Sequence, residues 1–267
     1  MNGPPDRILR FERCFNFRDL GGYAGLDGRP VRWRRIFRSM TPEYMSDTDA
    51  AAAAGLGISL VIDFRGDQYP TSGPMPVEGG TRLSISPAFG DRSEAELERY
   101  RQTPPEEALP KLLETYGPQF ACALKAMAER PGATTVFHCR LGKDRTGVFA
   151  ALVLKLLGVS DDDVVQDYML TEEQEPHSRR LLSEVETADM AKREPAVAKE
   201  PPSRAAIEGV LQRLVSQYGG AYGYFAHLGI PASMLGAFVE SALEAPAESL
   251  RASSTGRTAS GESIPAS

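Results

Sequence analysis

The stretch that decides the fold runs from residue 134 to residue 157: TTVF (134–137), HCRLGKDRTG (138–147) and VFAALVLKLL (148–157). Its first four residues are β-branched or aromatic and follow Pro131 and Gly132, which predicts a short buried strand. Residues 146–157 are apolar on nearly every side and stop at Gly158, which predicts a buried helix. A tight loop joins them. In an open α/β sheet such a junction lies outside the carboxyl end of the strand, where the helix N-terminus offers unpaired N–H groups and the positive end of its dipole. The loop is therefore expected to cradle an anion.

Working outward, residues 58–62 (ISLVI), 82–85 and 36–38 also read as strands. Helical patterns cover residues 46–54, capped by Ser46 or Asp47, and then 108–116 and 118–128. Strands alternating with helices predict an α/β fold with a central, mainly parallel sheet flanked by helices on both faces. Beyond Leu157 the pattern is helical: 161–170 capped by Ser160, 204–218, and 233–242, with a Gly- and Tyr-rich turn at 219–223. The charged stretch 172–200 holds an amphipathic helix through Leu181, Leu182, Val185 and Met190. The expected organisation is an N-terminal extension (1–14), one domain (15–244) with a helical C-terminal half and a charged insertion at 172–200, and a tail (245–267). The tail is Ser, Ala, Gly and Pro with few apolar residues, too few to offset its ordering entropy, and is expected to be disordered.

Composition narrows the function classes. The 267 residues carry 30 Lys and Arg against 36 Asp and Glu, a net charge of −6. That balance argues against a nucleic-acid binder, which needs clustered excess cations to neutralise phosphates. No run approaches the 18 or so apolar residues of a membrane span, and the first 15 residues carry Arg7, Arg10, Glu12 and Arg13 without a signal-like apolar core. A cytoplasmic monomer is the expectation. Cys14, Cys122 and Cys139 form no C-x-x-C pair, and His138, His177 and His227 have no zinc-ligand spacing. Neither a disulfide framework nor a metal or other cofactor is expected.

Within the loop, Cys139 begins the turn and Arg145 lies in the first turn of the helix. The helix-end N–H groups and the guanidinium both stabilise a thiolate over a thiol. Five residues separate the two, enough for the loop to curl until sulfur and guanidinium meet one tetrahedral oxyanion, two of whose oxygens the planar fork holds. Residues Arg140, Leu141, Gly142, Lys143, Thr146 and Gly147 complete the phosphate-binding turn. The implied chemistry is in-line attack of sulfur on phosphorus, then hydrolysis of a phosphocysteine. Cys139 as a buried small hydrophobe would leave Lys143, Asp144 and Arg145 unexplained between two apolar elements. The nucleotide P-loop does not fit either, because Val148 stands where its Lys belongs.

HCRLGKDRTG resembles the C-x5-R signature of the cysteine-dependent protein tyrosine phosphatases, in the H-C-x-x-G-K-D-R-[TA]-G variant of bacterial tyrosine and dual-specificity enzymes. Asn16-Phe17-Arg18-Asp19-Leu20-Gly21-Gly22, Arg35-Ile36-Phe37-Arg38-Ser39 and Val61-Ile62-Asp63-Phe64-Arg65 are similar to further elements of that family, in matching order. The resemblance covers residues 15–243 and implies that the insertion 172–200 forms a helical lid over the site. It implies a phosphatase acting on phosphotyrosyl proteins or peptides, extending to phosphoserine, phosphothreonine and phosphoinositides, with His138 hydrogen-bonded around the loop. The alternatives are a mainly phosphoinositide-directed enzyme and a non-catalytic module that binds phosphorylated ligands. The eukaryotic-type W-P-D acid loop is missing, since the only tryptophan, Trp33, is not followed closely by an Asp.

The proton donor is left between two carboxylates. Asp144 lies inside the loop, although Lys143 and Arg145 are expected to favour its ionisation. Asp63 ends the strand expected beside the one leading to Cys139, and a capping turn or a supporting role suits it equally. Lys143 reads either as a solvated loop-tip cation or as a receptor for a second anionic group. Arg18 and Asp19 are expected to pair with each other at a structural corner.

Overall fold

A computed structural model describes residues 6–66, 73–77, 79–86, 102–185 and 200–246. In chain order its elements are β1 (Arg18–Asp19), β2 (Ile36–Ser39), α1 (Asp47–Ala54), β3 (Ile58–Asp63), β4 (Thr81–Ser84), α2 (Pro105–Thr115), α3 (Gly117–Ala128), β5 (Thr134–His138), α4 (Asp144–Leu156), α5 (Asp161–Met169), α6 (Thr171–Val185), α7 (Arg204–Tyr218), α8 (Ala221–His227) and α9 (Ala232–Ala242). The sheet order is β1-β2-β5-β3-β4, with β1 antiparallel to β2 and every other pair parallel. This is the expected α/β fold, with the strand that leads to Cys139 at the centre.

Strand alternation sends successive side chains to opposite faces, and each face buries its own core. Ile36, Leu60, Ile62 and Phe137 join the larger one, with Phe120 of α3 and Phe149 of α4. Phe37, Val61 and Val136 join the smaller, with Ala53 of α1 and Leu181 and Leu182 of α6. In the larger core Phe64, Phe120, Phe137 and Phe149 contact one another edge-on or stacked at centroid separations of 4.9–6.5 Å. These rings tie β5 and α4 together immediately behind the loop that joins them. Parallel registry then brings Ser39, His138 and Asp63 side by side at the carboxyl edge.

Local signals account for most boundaries. Ser46 caps α1 in a reciprocal capping box with Asp49, and Ser160 caps α5. The helix expected from residue 108 begins three residues earlier, at Pro105, where proline suits a first turn. The two-residue β1 has no alternation to betray it. Residues 6–14, read from sequence as an extension, run along the domain: the Leu9 amide donates to the Phe17 carbonyl, and that of Asp19 to the Arg7 carbonyl. Cys14 is fully buried. The tail from 247 onward and residues 186–199 of the expected lid, with Met190, lie outside the described residues. No helix among the described residues is long and apolar enough to cross a membrane.

The turn expected at 219–223 is instead mostly helix. Gly219 does end α7 in the left-handed conformation (φ 69°), but α8 starts two residues later. Gly223 is there for space, since a Cβ on it would stand 1.9 Å from the Tyr218 carbonyl oxygen. Gly223→Ala is therefore expected to destabilise the fold by about 1–3 kcal/mol through forced displacement. Gly236, exposed inside α9 with nothing within 4 Å of its added Cβ, gives the opposite expectation. Gly236→Ala should stabilise by about 0.5–1 kcal/mol. Urea unfolding of both variants checks the pair, and equal effects would contradict the packing account.

Candidate active site

The loop between β5 and α4 is held by its carbonyls. The Arg140 carbonyl accepts from the Thr41 amide at 3.0 Å. Asn16 Nδ2 donates to the carbonyls of Leu141 (3.1 Å) and Gly142 (3.0 Å), and Arg38 Nη2 donates to Gly142 at 2.8 Å. In a planar trans peptide the N–H of the next residue points away from the carbonyl. The N–H groups of Leu141, Gly142 and Lys143 are thus directed away from this outer ring of donors, toward the inside of the turn. Gly142 adopts φ 68°, and a Cβ there would lie 2.3 Å from the Ser39 carbonyl oxygen, so both conformation and space demand glycine.

Cys139 begins the turn, 3% exposed, and Arg145 lies in the first turn of α4, 5% exposed. Arg145 Nη1 donates to the Phe64 carbonyl at 2.9 Å, and its Cζ lies 5.9 Å from the Tyr116 ring centroid. One edge of the guanidinium is thereby fixed against the β3 end. The loop amides, the thiol and a fixed planar cation form an arrangement that can hold a tetrahedral oxyanion beside a nucleophile.

Residues 9–244 match the model of the tyrosine phosphatase family. The chain belongs to that family. Its relatives include a Cupriavidus necator protein whose name assigns it provisionally to the tyrosine-protein phosphatases, 34% identical over 178 residues, which are 60% of this chain and 62% of the relative. A tyrosine-protein phosphatase of Nostoc commune is 29% identical over 201 residues, 70% of this chain and 66% of its own. The triple specificity protein phosphatase PtpB of Mycobacterium tuberculosis is 28% identical over 202 residues, 64% and 72% respectively. The chain spans just under two thirds of the length of the first two of these curated relatives.

Beneath the family's signature loop lies a buried charge cluster. Asp167 of α5 sits between two arginines: Arg18 Nε reaches Oδ1 at 2.9 Å and Arg38 Nη1 reaches Oδ2 at 2.7 Å, with all three side chains at most 1% exposed. Burial pushes the Asp167 carboxyl up, but the two arginines hold it below the ordinary carboxylate range. Burial and the neighbouring Arg18 bring Arg38 down to about 10, still protonated near neutral pH. The expected Arg18–Asp19 pairing does not occur, because adjacent strand residues face opposite ways. Asp19 accepts instead from the amides of Gly21 and Arg34.

The two candidate acids are in opposite states. Asp63 accepts from Arg65 through its backbone amide, Nε and Nη2, at 2.8–3.2 Å. Burial pushes Asp63 up, but His138 and the Arg65 fork more than offset it and leave it below its ordinary value. His138 is buried, and desolvation takes it down to about 4 against the pull of Asp63. It is therefore neutral near pH 7, with Nδ1 donating to the Cys139 carbonyl at 3.2 Å, which makes Arg65 the partner that keeps Asp63 ionised. Asp144 goes the other way. Burial raises it to about 6, outweighing the pull of Lys143 and Arg145, so the lowering expected from its sequence neighbours is overturned by desolvation.

Lys143 is not a solvated loop tip. It is 1% exposed, and its Nζ donates to Glu175 Oε1 of α6 at 2.9 Å and to the Glu200 carbonyl at 2.6 Å. Thr146 Oγ1 and Ser39 Oγ are buried without a hydrogen-bond partner among the described residues. Gly147 lets Tyr168 close on α4, since a Cβ there would stand 2.7 Å from its ring.

The reading from sequence missed Asn16, Arg38 and Thr41 as loop supports, and Asp167 and Glu175 altogether. One signal existed for the last two. Val164, Asp167, Thr171, Glu175, Ser178 and Leu182 recur every three or four residues and are all buried, which places two carboxylates on an inward stripe.

Asp144 makes a checkable contribution to stability. Its folded value of about 6 lies above the ordinary aspartate value of 3.8, so the folded state binds more protons between those values and stability falls as pH rises through them. Asp144→Asn removes that penalty. The variant should gain on the parent by about 2–3 kcal/mol between roughly pH 4 and pH 8. Denaturant midpoints across that range measure it, and a gain independent of pH would contradict the raised value.

Proposed function

We propose that this protein is a phosphatase that hydrolyses phosphotyrosyl proteins or peptides through a phosphocysteine intermediate, with phosphoserine and phosphothreonine as further substrates. The observation that carries the reading is the single loop in which Cys139, inward amides and the anchored Arg145 share one turn. Family membership and the names of the relatives support it. In the first half-reaction the Cys139 thiolate attacks phosphorus, the S–P bond forms as the P–O ester bond breaks, and the leaving oxygen takes the proton of Asp144. In the second, water attacks phosphorus while Asp144 accepts its proton, and the S–P bond breaks to release phosphate and the thiolate. Arg145 and the amides of Leu141, Gly142 and Lys143 hold the equatorial oxygens throughout.

Asp144 is the acid in this reading because burial inside the loop raises its carboxyl to about 6, so it holds a proton further toward neutral pH than Asp63, which lies below its ordinary value. Asp63 is the positioning partner, ion-paired to Arg65 and aligned beside His138. Phosphoinositides are secondary substrates, because Lys143, the cation that would meet a second phosphate, is engaged by Glu175. A cytoplasmic setting belongs to the same proposal and is supported by three cysteines carried as free thiols.

Cys139→Ser should abolish turnover of a phosphotyrosyl peptide while preserving binding of inorganic phosphate; residual turnover would sink the covalent route. Arg145→Lys should lose about 10²-fold or more, because an ammonium cannot replace the fork. Asp144→Asn is expected to lose about 10²–10⁴-fold on esters of poor leaving groups and much less on activated aryl phosphates. Rates measured across aryl phosphates of graded leaving-group acidity decide this. A uniform loss for Asp144→Asn with a steep dependence for Asp63→Asn would transfer the acid role to Asp63.

A further inference from the structure

The signature loop is wired to α6 through a chain of charges, of which Lys143 and Glu175 are buried and Arg179 is partly exposed. Arg179 Nε donates to Glu175 Oε1 at 2.8 Å, the same oxygen accepts from Lys143 Nζ at 2.9 Å, and Lys143 immediately precedes Asp144. Glu175 is 4% exposed and Lys143 is 1% exposed, so solvent screens little of this interaction. Glu175 reaches the loop because it lies two helical turns beyond Asp167 on the same inward stripe. One carboxylate on that stripe anchors the arginines beneath the loop, and the other meets the loop cation. We infer that Glu175 is a positioning residue for the reaction, holding Lys143 and supplying the negative charge that offsets the cations gathered beside Asp144.

The charges around Asp144 explain why such a residue is needed. Lys143 and Arg145 adjoin it on the loop and α4, Arg179 faces it from α6, and the Tyr168 phenol approaches from α5. Three cations thus favour an ionised Asp144, and among these groups Glu175 is the carboxylate that opposes them. With Glu175 in place, Lys143 and Arg179 are both paired to it and burial decides the state of Asp144. With Glu175 neutralised, two ammonium and guanidinium charges lose that partner beside the acid. The proton would leave Asp144 at lower pH, and the leaving group would depart without assistance.

This inference rests on Asp144 being the acid, and the test separates the two. Record kcat against pH on an aryl phosphate with a poor leaving group for the parent, Glu175→Gln, Lys143→Met and Asp144→Asn. The parent should lose activity on its alkaline side as Asp144 ionises. Glu175→Gln should move that loss to lower pH, with about a three- to tenfold drop near neutral pH on the poor leaving group and little change on an activated ester. Lys143→Met removes a cation and leaves Glu175 in place, so it should move the loss to higher pH. Opposite displacements cannot arise from loosened packing alone. If Glu175→Gln does not fold, the alkaline displacement in Lys143→Met carries the test. Both variants unmoved, or moved in the same direction, while Asp144→Asn abolishes the alkaline loss, would overturn the role of Glu175 and leave the acid intact. An alkaline loss that survives in Asp144→Asn would instead remove the acid assignment itself.

Discussion

A turn that directs its N–H groups inward must find donors for the carbonyls it directs outward, and this requirement shapes the surroundings of Cys139. The donors are the Thr41 amide, Asn16 and Arg38. Placing a guanidinium under a buried loop introduces a charge that cannot stay unpaired, so Arg38 brings Asp167 with it. Asp167 has a second oxygen, which Arg18 fills, and Arg18 in turn donates to the side chain of Asn16. The chain of necessity closes on itself: the residue that orients two loop carbonyls is oriented by the arginine that shares Asp167 with the other loop donor. An apolar replacement of the three charges could match their contribution to stability, yet it would leave the Gly142 carbonyl without its guanidinium donor. The cluster is better understood as a device for loop geometry than as a source of stability.

The same buried setting sorts the titratable groups by their partners. Desolvation acts on all of them and always toward the neutral form. Asp167 and Asp63 each face guanidinium groups at hydrogen-bonding distance and stay ionised. His138 has a carboxylate 3.7 Å away, too far to offset full burial, and is neutral. Asp144 has cations nearby but none hydrogen-bonded to it as Arg65 is to Asp63, and burial prevails. One physical effect therefore yields two carboxyls held below their ordinary values, one neutral imidazole and one carboxyl raised to about 6, according to the distance of the counter-charge.

Much of this was legible in the sequence, for reasons that differ by residue. Residues 134–157 carry a β-branched and aromatic run, an apolar helical stretch stopped by glycine and a fixed Cys–Arg spacing, so the strand, loop and helix, with Cys139 as the candidate nucleophile, could be read directly. Short runs rich in β-branched and aromatic residues at 36–38 and 58–62 gave the neighbouring strands, and with them the placement of Asp63 beside His138. Tertiary charge pairing was not legible. Nothing within Arg18-Asp19 indicates that the arginine pairs with a residue 149 positions away while the aspartate holds two local amides. The state of Asp144 was misjudged because sequence neighbours are visible and burial is not. The polar residues on the α5–α6 stripe were the one local trace of what the loop needs, since a carboxylate at an apolar position of a helix must have a charge waiting for it.

In the mechanism proposed above, an acid carried inside the signature loop imposes a constraint that an acid on a separate mobile segment would not. It moves as one body with the nucleophile and the clamp, so closing a lid cannot bring it into place or protect its proton. Its protonation must be arranged by groups fixed to the same body. The arginine fork that serves Asp63 would be self-defeating here, because it would ionise the donor. The solution in this fold is to bury the carboxyl, accept the cations that phosphate binding requires, and balance them from a neighbouring helix. Since α6 also packs Leu181 and Leu182 into the smaller core, the balancing charge is as rigid as the sheet it rests on. The electrostatics of the loop are in this way continuous with the packing of the domain.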